Sequence, residues 1–234
     1  MPEDRPLLAV LIDADNTSPK HAGAIFEEIA SLGEASVRRC YGDFSSQQMS
    51  GWNRVQSEHG LVPLHSPANT VGKNSSDIAL VIDAMDLMHT GRFDGFVLIS
   101  SDSDFTRLAS RIREQGLDVY GIGQKKTPDA FRKACKRFIF LENIGAPSSG
   151  DKQAIKAKSV PSQEARDIII RAMDAIEQDE EWYTLGMLGQ YITAANPDFD
   201  TRTYGKKKLS DLIADLKIFE TRREGNQLMV RRID

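Results

Sequence analysis

Residues 95–123 read GFVLISSDSDFTRLASRIREQGLDVYGIG, and residues 7–16 read LLAVLIDADN. In the longer stretch the apolar run Phe96 to Ile99 breaks into Ser100-Ser101-Asp102-Ser103-Asp104, Leu108 and Ile112 follow at helical spacing, and Val119 to Ile122 is a second apolar run. That is a strand, an acidic loop, a helix and a strand. The shorter stretch ends in the same way, its run Leu7 to Ile12 stopping at Asp13-Ala14-Asp15-Asn16. Working outward, β-type runs recur at Val37 to Tyr41, Leu61 to Leu64 and Phe138 to Leu141. Between them lie helix signals. Ser18-Pro19 reads as an N-cap with proline in the first helical position, followed by Ile25, Phe26 and Ile29. Ile78, Val81, Ile82 and Met85 form an i, i+3, i+4, i+7 stripe behind Ser75 and Ser76. Alternation of this kind predicts a three-layer α/β domain on a mostly parallel sheet.

The 234 residues suffice for one large domain or two smaller ones. Residues 145–162, GAPSSGDKQAIKAKSVPS, carry small, polar and proline residues without an apolar period and read as a linker. The domains are therefore expected at 1–144 and 163–234. In the second, three apolar stripes predict three helices: Ile168 to Ile176, Leu185 to Ile192, and Leu209 to Leu216. The runs Ile218 to Arg222 and Gln227 to Ile233, around Glu224-Gly225-Asn226, predict a hairpin. Three helices and a hairpin outline a small winged-helix domain.

No apolar run approaches the roughly 20 residues that span a bilayer, and no signal-peptide pattern opens the sequence, so a cytoplasmic protein without a membrane partner is expected. Cys40 and Cys135 are too few for a disulfide framework and lie at no zinc-ligand spacing. The net charge of -4 is not a nucleic-acid footprint. Its distribution is more informative, because between Phe105 and Arg137 nine basic residues, among them Lys125 and Lys126, face only Glu114, Asp118 and Asp129.

Both acidic clusters sit at strand carboxyl ends, the edge where open α/β sheets bind ligands. If the two strands are neighbours, their carboxylates converge, repel and raise each other's pKa unless a cation compensates. Mg²⁺ or Mn²⁺ prefers such oxygens and promotes phosphodiester cleavage. Asp77, in the first turn of the Ile78 helix, can project to the same edge. Asp83 and Asp86 follow on other faces of that helix and read as solvated. The plain structural alternatives are that acids after strands form turns, that Asp102 or Ser103 caps the next helix, and that Asp77 complements a helix dipole. Lys73 and Asn74, just ahead of the Asp77 helix, are candidates to hold a phosphate, with an ordinary loop as the alternative. The four histidines show no ligand spacing, Trp52 reads as packing, and Gly121-Ile122-Gly123 is a lone glycine pair.

The stretches LAVLIDADN, GKNSSDIALVIDAMDL, GFVLISSDSDFTRLASRIREQGLDVYGIG and CKRFIFLENI, in this order, resemble the NYN domain, a PIN-like nuclease, in its bacterial LabA-like branch. The resemblance spans residues 7–144. It implies a sheet in order 3-2-1-4-5, a metal-dependent ribonuclease, Mg²⁺ or Mn²⁺ carried by Asp13, Asp77, Asp102 and Asp104 as metal-binding and catalytic residues, and Asn16 and Ser101 as polar helpers near metal or phosphate. Residues 188–233 resemble the OST-HTH, or LOTUS, domain, which implies RNA binding or recruitment of a protein partner. There Arg202, Lys206 and Lys207 lead into the third helix, where they can reach phosphate, a solvated charged face being the alternative. Two rival functions remain. Asp13-Ala14-Asp15-Asn16-Thr17 also resembles the D-x-D-x-T signature of haloacid-dehalogenase-like phosphohydrolases, with Asp13 as nucleophile and Asp15 as general acid, but that leaves Asp77 without a role. A catalytically inactive RNA-binding adaptor is the other.

Overall fold

Strand β1 (Leu7–Asp13) buries every residue but the first, because it runs through the middle of a parallel sheet with helices on both faces. The computed structural model describes residues 5–45, 49–65, 75–145, 160–178 and 180–233. Among these the chain forms two compact units, residues 1–146 and 147–234.

In the first unit the further strands are β2 (Glu34–Gly42), β3 (Val62–His65), β4 (Gly95–Ile99), β5 (Asp118–Gly123) and β6 (Arg137–Phe140). The sheet order is β3-β2-β1-β4-β5-β6 and all pairings are parallel. The five-strand order expected from the resemblance is thus extended by β6 on the β5 edge, where Phe138 and Phe140 find buried places. Alternation along β1 splits it between two cores. Leu8, Val10 and Ile12 pack with Ile25 and Ile29 of α1 (Ala22–Leu32) and Trp52 of α2 (Ser50–His59). Ala9 and Leu11 pack with α3 (Ser75–His89) and α4 (Thr106–Glu114). The expected three layers are the result. Proline 19 opens a 3-10 turn, Pro19–His21, and the α-helix proper begins only at Ala22; Ser18 makes no side-chain cap.

Helix α3 departs from its sequence reading. The face it buries is Leu80, Ala84, Leu87 and Met88, while Ile78 and Ile82 of the expected stripe are 60% and 57% exposed. The helix is apolar nearly all round, so periodicity alone does not select a face. The sheet does, gaining about 1.5–3 kcal/mol for each large side chain it covers. Asp77, three and seven residues before Leu80 and Ala84, shares the buried face. Asp83 is not a solvated acid: it accepts hydrogen bonds from the buried Tyr41 hydroxyl and from Arg39, pinning α3 to β2. Asp86 is exposed, as expected.

The second unit contains α6 (Val160–Ala175), α7 (Leu185–Ala195), α8 (Leu209–Leu216) and a hairpin of β8 (Phe219–Glu224) and β9 (Gln227–Arg232) turning at Gly225, whose φ of 58° lies in the left-handed region. A two-residue strand β7 (Tyr183–Thr184), missed in the sequence, pairs with β9. This is the expected winged-helix outline around Ile169, Leu188, Ile192, Ile213 and Val230. Helix α6 starts within the segment read as linker; α5 (Asp129–Ala134) completes the first unit.

Candidate metal centre

Strands β1 and β4 are neighbours, with Ile12 opposite Ile99. Their carboxyl ends therefore emerge side by side, carrying Asp13 from one and Ser100 to Asp104 from the other. Asp13 is 1% exposed. Its Oδ2 accepts from Ser100 Oγ at 2.6 Å and from Asn16 Nδ2 at 2.9 Å, and its Oδ1 accepts from the Asn16 backbone N–H at 3.2 Å. Burial pushes the Asp13 carboxyl above its ordinary value, and those hydrogen bonds pull against the rise. Three of about four acceptor positions are used, leaving one on Oδ1 for a ligand.

Ser100 joins the two acidic loops, since its Oγ donates to Asp13 and accepts the Asp102 N–H at 3.0 Å. Asp102 in turn caps the 3-10 turn Ser103–Phe105, its Oδ1 accepting from the Asp104 N–H at 2.9 Å. The capping alternative is thus realised, and it leaves Oδ2 unengaged by that bond. Asp77 lies half-buried at the start of α3, where its pKa is raised to about 6, first by burial and then by the charges of Asp13, Asp102, Asp15 and Asp104. The expected acids Asp13, Asp102 and Asp104, together with Asp15, thus lie within electrostatic reach of Asp77. Asp15 also accepts the Asp43 N–H at 3.2 Å.

Ser101 Oγ accepts the Gln124 N–H at 2.9 Å, tying the β4 and β5 loops together. A recess of about 290 Å³ opens beside it, lined by Asn16, Ser101, Asp102, Ser103, Lys126 and Pro128. The glycines of β5 are close-packing positions rather than a nucleotide loop: a Cβ on Gly123 would stand 2.5 Å from the Ser100 carbonyl oxygen, and one on Gly121 2.5 Å from the Phe138 ring.

One family model covers the unit that carries these carboxylates. The NYN domain matches residues 7–142, more than half of the chain. The chain belongs to the NYN family. NYN domains are PIN-like nucleases. An OST-HTH/LOTUS domain, a class that binds RNA, matches residues 157–230, which completes the two-part arrangement. None of the curated proteins compared with the chain matches it. Among solved structures, a protein of unknown function from Vibrio parahaemolyticus is similar at 18% identity and a TM-score of 0.48, over 59% of this chain and 94% of that one. The second catalytic domain of an Ostrinia furnacalis group II chitinase aligns at 11% identity and a TM-score of 0.27, over 99% of this chain and 84% of that one. Neither likeness adds to the family assignment.

Ser100 is the residue of this edge that the sequence did not single out, and Lys126 was named there only within a basic stretch. A hydroxyl between the strand end and Asp102 was the available signal for Ser100. Lys73 and Asn74 lie outside the described residues. In the OST-HTH/LOTUS unit, Arg202 pairs with Asp200 at 2.6 Å and Lys206 with Asp215 at 2.8 Å, while Lys207 is exposed. Trp182 carries two arginines, the Arg222 and Arg231 guanidinium carbons standing 4.2 and 4.9 Å from its ring centroid. Cys40 and Cys135 are free and buried, Trp52 is fully buried, and no helix among the described residues is long and apolar enough to cross a membrane.

Proposed function

We infer that this NYN chain is a metal-dependent ribonuclease whose centre is Asp13, Asp77, Asp102 and Asp104, with the C-terminal unit binding RNA or recruiting a protein partner. One observation carries the reading: at the edge where β1 and β4 end, Asp77 is half-buried within electrostatic reach of Asp13, Asp102, Asp15 and Asp104, and burial first and those charges second raise its pKa to about 6. Acids perturbed by burial and by like charges concentrate at functional sites.

The donor set suits a hard cation, all oxygen and all acidic. Among the described residues no three carboxylate, imidazole or thiol groups stand close enough together to hold a metal ion by themselves. Mg²⁺ or Mn²⁺ would thus be held by one or two of these aspartates with waters filling the remaining positions, which is the habit of Mg²⁺ in particular. When bound, such a cation supplies Lewis acidity that activates water and offsets charge on the phosphate. Asp13, oriented by Ser100 and Asn16, offers its remaining Oδ1 position. Asp77, kept ionised by a cation that offsets the charges of its acidic neighbours, would accept a hydrogen bond from a water and orient it toward phosphorus. No side chain of the protein becomes covalently attached.

The sparse direct ligation also favours a second reading, an RNA-binding adaptor without turnover. Labelled single-stranded and structured RNA incubated with the protein and Mn²⁺ or Mg²⁺ separates the two. Cleavage by the wild type that is lost in Asp102→Asn is the expected result. RNA left intact by both proteins on every substrate sinks the nuclease reading. The phosphohydrolase alternative predicts loss of small-phosphoester hydrolysis in Asp13→Asn with RNA untouched.

A further inference from the structure

We propose that the recess beside Asp102 is a subsite for an internal phosphate of the RNA backbone, with Lys126 as its cation. This rests on the reading of RNA as the substrate, not on turnover. The recess of about 290 Å³ contains one ammonium, the polar side chains of Asn16, Ser101 and Ser103, one carboxylate and one proline. It has no aromatic wall on which a base can stack, so its chemistry fits phosphate and ribose and not a nucleobase.

The cation is free for that role. Around it, Arg111 pairs with Glu114, Arg132 with Asp129, Lys136 with Asp118 and Arg137 with Glu28. The basic stretch noted in the sequence is therefore offset in part by these acids, and a positive excess remains. Lys126 is exposed and makes no ion pair among the described residues. Its backbone is nonetheless held. The Gln124 N–H is bound to Ser101 Oγ at 2.9 Å, the Lys125 N–H to Glu142 Oε1 at 3.0 Å, and the Thr127 N–H to the Gln124 carbonyl at 2.9 Å. Thr127 itself is 2% exposed. An exposed ammonium on an ordered turn thus borders the same recess as Asp102. The physical need is plain: a polyanion approaching five aspartates is repelled, and a nearby unneutralised cation offsets that repulsion for the phosphate adjoining the one at the metal centre. Ser101, whose oxygen already accepts from Gln124, keeps its proton to donate to a phosphate oxygen. Contacts of this type read no base, so the subsite confers grip without sequence preference.

The test uses the full chain in EDTA, with 12-nucleotide RNAs bearing either a 5′-phosphate or a 5′-hydroxyl. Lysine acylation is followed by mass spectrometry with and without saturating RNA. Protection of Lys126 by about threefold or more, with Lys125 changed little and the two RNAs equivalent, is the expected result. In binding titrations, Lys126→Ala should weaken affinity about 3–10-fold and lower the salt slope by about 0.7, the share of one single-strand phosphate contact, while Lys126→Arg retains most of the affinity and Lys125→Ala all of it. Equal labelling of Lys126 with and without RNA overturns the subsite, as does an unchanged salt slope in Lys126→Ala or the lack of measurable RNA binding by the wild type. Protection confined to the 5′-phosphorylated RNA overturns the internal-phosphate assignment. None of these readouts uses cleavage, so a chain that protects Lys126 yet leaves RNA intact keeps the subsite and loses the nuclease reading.

Discussion

Replacing Asp77 by asparagine should make the metal-free protein more stable and abolish its hydrolysis of RNA. The magnitude follows from the site. A carboxyl displaced from 3.8 to about 6 by burial and by four acidic neighbours carries, when ionised, a penalty of about 3 kcal/mol at roughly 1.4 kcal/mol per factor of ten. Asp77 is only half-buried, and solvent screening reduces this to about 1–1.5 kcal/mol. Because the folded-state value is raised, the stability is fully present below about pH 4, where both folded and unfolded chains hold the proton, and is lost as pH rises through about 6. At pH 7.5 in EDTA the asparagine variant should therefore melt roughly 2–5 °C above the wild type, and at pH 4 the two should coincide. Mn²⁺ should then raise the wild-type melting temperature more than that of the variant, because only the former retains the full negative charge. Scanning calorimetry at the two pH values, with and without metal, makes the measurement. An asparagine variant less stable than wild type at pH 7.5, or a difference that does not change with pH, would refute the account of Asp77 as a residue kept at the expense of stability.

Ser100→Ala removes the strongest hydrogen bond to Asp13 and the acceptor for the Asp102 N–H, so it should cost about 1–3 kcal/mol, more at pH 8 than at pH 4, and shift the acid limb of the rate profile upward. An unchanged acid limb would show that Asp13 does not titrate in the reaction. Gly123→Ala drives a methyl to 2.5 Å from the Ser100 carbonyl oxygen and 2.9 Å from Thr127 Oγ1, and should cost about 1–3 kcal/mol in urea denaturation while lowering RNA cleavage. Stability and cleavage both equal to wild type would mean that the β5 loop moves aside without disturbing the site.

The strand ends before Asp102 and at Asp13 were legible because one apolar run breaks into Ser100-Ser101-Asp102 and the other stops at Asp13. Asp77 was legible by its place in a first turn and by family resemblance, not by the helix stripe, which pointed to Ile78 and Ile82. That stripe misled because α3 has apolar residues on several faces, and only contact with β1, β2 and β4 distinguishes them. The same contact converts Asp83 from an apparent surface acid into the partner of Tyr41 and Arg39. The acidic partners of Arg202 and Lys206, Asp200 and Asp215, were not legible as such for a related reason.

From the sequence alone came the α/β class, the division into an α/β unit and a winged-helix unit, and which acids stand at strand ends, all of them properties of local period and of where apolar runs stop. Tertiary structure decided which helix face is buried, that Ser100 bridges two carboxylate loops, that Asp15 comes within electrostatic reach of Asp77, and which basic residues find acidic partners. Those depend on distances between residues far apart in the chain, and an ion pair or a carboxylate repulsion falls off over a few ångströms, a scale that spacing along a sequence does not record.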